Sequence, residues 1–392
     1  MEGKRFLRSI ELKNILSYGP EGVKLELEPL NVLIGPNASG KSNLIQALRL
    51  LQAAPRDIKG PPRWDNSGVV EWMWKGREGG YAELAVSFDE SVIDPPLSYF
   101  LRFHAVRTQV NDRLKVDVER LFDTPTREHP EPNPIVFRSN GAAELLRMEG
   151  GRVKIEVKDD ESVFSQIRDP SAYSYLAAIG DALRTVSFFA AWKAADKLHQ
   201  AQRADLPGGF LAEDGSNLGV VLSDLLSRPG MRAALVEKLQ LLHETVEDIA
   251  FNLRGGFIEV ALHEKGLSTA VPATRLSDGT MHFLCLLVIL LHPEPPPLIC
   301  IEEPELGLHP DALSTVGELL IEASQRTQLI VTTHSPSLLS ALSNEPEAVV
   351  VCERDENGTQ LQRLEPDELG DWLDEYSLGH TWQAGALGGN RW

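Results

Sequence analysis

The chain has 392 residues, 42% of them hydrophobic and 24% charged, an ordinary globular composition that excludes a disordered or fibrous polypeptide. Asp and Glu total 57 against 38 Lys and Arg, a formal net charge of -19, so nucleic acid and anionic membrane are repelled at long range and DNA contact would need a local basic patch. Cys285, Cys300 and Cys352 are too widely spaced for a CxxC pair or a zinc cluster, and the first two fall in apolar runs as buried thiols of a reducing compartment would.

The opening MEGKRFLRSIELKNI alternates like a strand and lacks a signal-peptide core, and the longest apolar run, residues 283 to 291, is too short to span a bilayer. The expectation is a soluble cytoplasmic protein with no membrane partner. VKLELEPLNVLIG supplies further strands, the last of which enters GPNASGKS, Gly35 to Ser42. This fits the GxxxxGK(S/T) phosphate loop and precedes a predicted helix with apolar positions Leu44, Ile45, Leu48 and Leu51. In such a loop Gly35, Pro36, Asn37, Ala38, Ser39 and Gly40 turn backbone N–H groups toward the phosphates of ATP. Lys41 reaches the β- and γ-phosphates, the Ser42 hydroxyl ligates Mg²⁺, and Asn43 follows in the first helical turn.

From about 68 to 157, GVVEWMW, YAELAVSF, SYFLRFHAV, RLKVDVERLF and GRVKIEV are β-rich runs separated by Gly, Pro and Asp, which predicts an antiparallel subdomain. Residues 171 to 203 and 216 to 246 read as helices, with Pro229 in the first turn of the second half of the latter, and strands return at DIAFNL and FIEVALHE. ATRLSDGTMHFL, 273 to 284, is a polar turn running into an apolar helix that extends to about His292. Ser277, Asp278 and Gly279 stand where it begins, so N–H groups, a hydroxyl and the helix dipole either converge there on an anion or Ser277 simply caps the helix.

LICIEEPE is a buried strand ending in two acids. Glu302 suits water-mediated Mg²⁺ binding and Glu303 suits polarising an attacking water. Because neighbouring side chains of an extended chain point apart, a backbone turn after Ile301 is implied. His309 and Asp311 either cap the helix that begins near Pro310 or contact nucleotide or a second subunit. TQLIVTTHS is another buried strand, after which His334 is placed to touch a γ-phosphate or orient the water, and EAVVVCER is another. Buried strands alternating with helices predict an α/β fold around a mainly parallel sheet covered on both faces.

GPNASGKSN, RLSDGT, ICIEEPELGLHP and TTHSP, in that order, resemble the ABC-type ATPase heads of the RecF, SMC and OLD families, most of all stand-alone bacterial ATPases of the AAA_21 type. SQIRDPSAY and DGSNLGVVL resemble the middle segment of the same group, so the likeness covers nearly the whole chain. It implies a P-loop NTPase fold with an antiparallel β subdomain and a helical lobe. It also implies a homodimer in which the signature turn, Leu276 to Thr280, binds the γ-phosphate of ATP held by the other subunit, two nucleotides being sandwiched. By position in the family, Gln166 is the candidate for the glutamine loop beside the metal.

The resemblance divides the chain into residues 1–60, the N-terminal part of the core; 61–165, the β-rich subdomain; 166–270, the helical lobe; 271–365, the remainder of the core; and 366–392, a C-terminal helix and tail. Two departures from the family pattern stand out: LSDGT where LSGGQ is usual, which puts the Asp278 carboxylate near a phosphate site, and Glu302 where Asp is common. After Leu364 about 28 residues follow, too few for a Toprim nuclease, and DELGDWLDEY reads as a helix with its acids facing water. The expectation is an ATPase of slow turnover that acts as a switch for a partner in DNA maintenance or phage defence. The rival expectation is an ATP-binding scaffold that holds a separately encoded nuclease or toxin.

Overall fold

The computed structural model describes residues 2–61, 68–76, 80–107, 112–124, 133–190, 195–369 and 376–389. The core sheet runs in the order β10 (Ser187–Phe189), β15 (Leu298–Glu302), β16 (Gln328–Thr332), β3 (Leu30–Ile34), β17 (Val349–Asp355) and β18 (Gly358–Arg363). Its first five strands are parallel, and β18 turns back antiparallel on β17. Every residue of β3 and β16 is buried, as expected of parallel strands covered on both faces. The pleat separates the two faces. Leu33, Cys300, Ile330 and Val350 pack with the helix Lys41–Ala53 and the antiparallel sheet. Val32, Ile301, Val331 and Val349 pack with the helices Asp278–Leu290 and Ala312–Ser324.

The antiparallel sheet has the order β2 (Val23–Glu26), β1 (Leu7–Lys13), β4 (Ala82–Phe88), β5 (Leu97–Val106), β6 (Arg113–Asp123), β7 (Pro134–Ser139), β8 (Ala142–Leu146) and β9 (Arg152–Glu156). The first strands of the chain therefore join this sheet, β1 lying beside β4, and only β3 enters the core. A third, smaller sheet pairs β13 (Phe257–Glu264) with β12 (Val246–Arg254), β11 (Gln202–Arg203) and β14 (Val271–Pro272).

Several elements differ from the sequence reading for identifiable reasons. GVVEWMW is a 3-10 turn, Val69–Trp72, whose Val69 and Trp72 drop together into the core at the three-residue spacing of that helix. The stretch 171–203 holds the helix Ser174–Thr185, then β10, a three-residue strand of Ser and Phe that hydrogen-bonds along β15, and then the short helix Ala195–Leu198. The stretch 216–246 breaks into Leu218–Ser227 and Met231–Leu242, with Pro229 just ahead of the left-handed cap Gly230, so Pro229 ends one segment and does not begin the next. Of the helix expected over DELGDWLDEY, the segment Pro366–Leu369 is helical, and the remainder of that expectation, over 370–375, lies outside the described residues. All three cysteines are buried free thiols, and no described helix is long and apolar enough to cross a membrane.

Two fully buried polar groups tie the layers together. Gln328, at the start of β16, accepts from the Phe6 and Leu7 backbone N–H groups (3.2 and 2.8 Å) and donates to the Leu7 and Glu28 carbonyls (2.8 and 3.0 Å). Its side chain does the work of a strand where the two sheets meet. Within the antiparallel layer, Glu119 accepts from Tyr99, Ser162, the Val163 N–H and Arg138, and Arg138 in turn donates to the Lys158 carbonyl. This network pins the segment that follows β9 onto the sheet. Replacing Gln328 with Leu keeps the bulk but leaves two buried N–H groups unmatched, and urea unfolding is expected to show a loss of about 3 kcal/mol.

Candidate functional site

β3 delivers the phosphate loop by ending in a run of unusual backbone angles: Gly35 at φ 144, Ala38 at φ 64 and Gly40 at φ 109. The glycines are required by close approach as well as by conformation. A Cβ on Gly35 would stand 2.2 Å from the Cys352 carbonyl oxygen, and one on Gly40 would stand 2.1 Å from the Thr359 hydroxyl. Thr359 braces the loop by donating to the Ser39 carbonyl (2.8 Å) and sharing a hydrogen bond with the Ser17 hydroxyl (2.7 Å), while Tyr18 donates to the Gly40 carbonyl (3.2 Å). The β17–β18 hairpin and the turn after β1 thus hold the loop in shape. Lys41 folds back to donate to the Gly35 and Pro36 carbonyls at 2.8 and 3.0 Å. Burial pushes its ammonium below the usual lysine range, and Cys352, Glu303 and Glu305 oppose that shift.

β15 and β16 end beside this loop. The turn expected after Ile301 falls at Glu303, whose φ of 49 is left-handed and whose N–H donates to the Thr332 carbonyl at 2.9 Å. Its carboxylate lies 3.9 Å from His334 Nε2. Burial, reinforced by Lys41 and opposed by Glu303, lowers the His334 imidazole from its ordinary value, which favours its neutral form. Glu305, to which the sequence reading gave no role, is the fastener: Oε1 accepts from the Thr333 hydroxyl (2.8 Å) and the His334 N–H (2.6 Å). Burial raises its carboxyl, and Oε2 has no hydrogen-bond partner among the described residues.

The signature turn packs against the loop that follows β15 and is not bonded to the phosphate loop among the described residues. Ser277 caps the helix Asp278–Leu290, accepting from the Thr280 N–H at 3.1 Å. Asp278 is exposed and contacts His199 Nε2 at 2.8 Å. Gly279 packs against the loop that follows β15, so closely that a Cβ there would sit 2.6 Å from the Gly307 carbonyl oxygen. His282 fixes the same loop by donating from Nδ1 to the Leu306 carbonyl at 2.6 Å. Among the described residues, no hydrogen bond or ion pair links Leu276–Thr280 to Gly35–Asn43. Asp311 occupies the cap position of the helix Ala312–Ser324 without a side-chain cap bond, and it is exposed beside His309.

The family profile described as "AAA domain, putative AbiEii toxin, Type IV TA system" matches residues 30–340, a span that contains the phosphate loop, the glutamate pair, the signature turn and His334. The chain belongs to the AAA_21 family. Its fold and family are those of ATP-binding ATPases, and nucleotide with Mg²⁺ is the usual ligand of such folds. It is 49% identical over 73 residues to the Old nuclease of Escherichia phage P2, and 36% identical over 101 residues to the chromosome partition protein Smc of Desulfitobacterium hafniense. Those stretches amount to 18% and 24% of this chain, and the chain spans only 12% and 8% of the two relatives. Among solved structures, the SmcHead bound to the C-winged helix domain of ScpA superposes with a TM-score of 0.57 at 15% identity, covering 93% of this chain and 99% of that one. A Pyrococcus furiosus Smc head bound to the C-terminal domain of ScpA gives 0.55 at 14% identity, covering 94% and 99%. At such identities the likeness is one of fold.

The AAA_21 chain therefore brings Lys41, Glu303 and His334 together and keeps Ser277, Asp278 and Gly279 elsewhere. Gln166 is committed to its own turn, accepting from the Lys158 N–H and donating to the Glu161 carbonyl, and none of its described bonds reaches the phosphate loop. Thr359, Ser17 and Glu305 were missed. Only Glu305 left a signal, as the third acid of EEPE. The donor types fit a nucleotide and a hard cation: N–H groups around two cramped glycines, the buried Ser39 hydroxyl with no hydrogen-bond partner among the described residues, and the Ser42 hydroxyl and Glu302 carboxylate as candidate oxygen donors.

Burial pushes the His282 imidazole down from its ordinary value to about 4, so the unfolded chain takes up the proton first on acidification. The stabilisation is complete above the unfolded value and is lost as pH falls through this window, by roughly 3 kcal/mol in all. Chemical denaturation at stepped pH is expected to show this acid limb, and His282→Gln to flatten it.

Proposed function

We propose that this chain is an ATP-driven switch whose two copies close head to head around two nucleotides, each copy completing the other's site with its signature turn. The observation that carries the reading is the separation just described. Lys41, Glu303 and His334 gather at the ends of adjacent parallel strands, while Ser277 caps its own helix and Gly279 packs against Gly307, neither being bonded to the phosphate loop among the described residues. A site divided in this way is complete only when a second copy supplies the missing face.

In this mechanism Lys41 exchanges the Gly35 and Pro36 carbonyls for phosphate oxygens, and Ser42 and Glu302 hold the cation. Bound Mg²⁺ supplies charge neutralisation on the phosphates. Glu303 takes the proton of the attacking water, and His334, kept neutral by burial, donates toward the γ-phosphate or the water. Ser277 and Gly279 of a second copy contribute a hydroxyl and helix N–H groups to the γ-phosphate, which gives the closed pair its preference for ATP over ADP. Asp311 lies on the exposed loop beyond Gly307 and would meet the second copy across the interface. Gln166 is given no part.

The output is read by a protein. The ScpA-bound Smc heads share this fold, and the family description names a toxin–antitoxin system, which together support an effector partner in DNA maintenance or phage defence. A cytoplasmic location accords with this role. A second reading, a scaffold with little turnover that holds such an effector, is favoured by the Asp278 carboxylate within the signature turn. Steady ATPase from the purified chain supports the switch, whereas nucleotide-stabilised assembly without turnover supports the scaffold.

Glu303→Gln is expected to slow turnover by roughly 10² to 10⁴ with ATP affinity retained. The turnover of the unaltered chain should rise with protein concentration. Unchanged turnover in the variant removes Glu303 from the mechanism, and a full rate at any dilution removes the dimer.

A further inference from the structure

The Asp278 carboxylate puts a negative charge where the head-to-head reading, on which this inference rests, brings a γ-phosphate. Its neighbour resolves the conflict. His199 follows the helix Ala195–Leu198, and its side chain is 18% exposed against 81% for Asp278. His199 Nδ1 stands 2.6 Å from the Ala273 carbonyl oxygen, and Nε2 stands 2.8 Å from Asp278 Oδ1.

A backbone carbonyl can only accept, so Nδ1 carries a proton and donates it. The contact at Nε2 then brings together a ring nitrogen and a carboxylate oxygen, and it also needs a proton between them. Whichever of the two groups holds that proton, the pair as a whole carries no net charge. Ala273 lies in the turn just ahead of the signature, so the ring is aimed from a backbone atom of the very segment it serves.

We infer that His199 is a positioning residue for the signature turn: it neutralises Asp278 and holds its carboxylate aside, so that LSDGT can accept the γ-phosphate of a second copy's ATP. In this chain the first glycine of the usual signature is replaced by a carboxylate together with a proton-bearing partner, His199, from the helical lobe. The Ser277 hydroxyl and the N–H groups of the helix Asp278–Leu290 then act on the anion without an opposing field.

The test is a double-substitution cycle read by the dimerisation midpoint with Mg²⁺ and the slowly hydrolysed analogue ATPγS, followed by analytical ultracentrifugation. His199→Gln is expected to weaken dimerisation roughly tenfold, because an uncompensated carboxylate then faces the phosphate. Asp278→Asn should leave dimerisation equal to or tighter than that of the parent chain. The combined variant should return to within about threefold of the parent, since removing the charge removes the need for its partner. A combined variant as weak as His199→Gln means that the histidine matters only for packing and overturns the inference, as does a His199→Gln variant that dimerises normally.

If the parent chain stays monomeric with ATPγS, the head-to-head reading falls instead. The charge pair is then judged by the ¹⁵N shifts of the His199 ring at pH 7. Two protonated nitrogens in the parent and one in Asp278→Asn support the pair, and one in both overturns it.

Discussion

The register of three neighbouring parallel strands governs everything else in this molecule. β3, β16 and β15 lie side by side with Leu33 opposite Thr332 and Thr332 opposite Glu302, so the phosphate loop, the histidine segment and the glutamate pair emerge together at one edge. A slip of one residue along β16 would turn Val331 and Thr332 to the opposite faces and carry His334 away from Glu303. The register is secured at the far end by Gln328, which borrows backbone partners from β1 and the β2–β3 connection, and by Asn31, whose amide donates to the Glu28 and Leu329 carbonyls. Polar side chains at the bottom of the sheet therefore fix the geometry at the top.

The loop itself is shaped from outside. Its own sequence allows the left-handed turns, but the neighbours that exclude any larger residue come from the β17–β18 hairpin, through the Cys352 carbonyl and the Thr359 hydroxyl. This divides the labour between motif and scaffold: the glycines permit the conformation, and residues more than three hundred positions away impose it. Glu305 plays the corresponding part for His334, holding its backbone with one carboxylate oxygen.

The parallel core was legible because continuous burial writes itself as unbroken apolar runs, LICI and LIVT among them, and because the phosphate-loop spacing fixes a strand before it and a helix after it. The strands YAELAVSF and SYFLRFHAV could be read from their alternation, whereas β10 could not, since three residues supply no period. The membership of β1 and β2 was hidden for another reason: a strand's sequence records how its faces are covered, not which sheet it joins. In the site, residue types at motif spacing were visible, and the side chains that hold them were not. Thr359 and His199 act through distance in space, and neither belongs to a local pattern.

The contact between Gly279 and the Gly307 carbonyl leaves no room for even a methyl group. The surface that one molecule would offer its twin and the segment trailing its own glutamates are thus a single solid piece, with the His282 bond to Leu306 as a second rivet. In the closed pair proposed above, a shift of the signature turn would therefore press directly on the backbone of the segment that follows the glutamates.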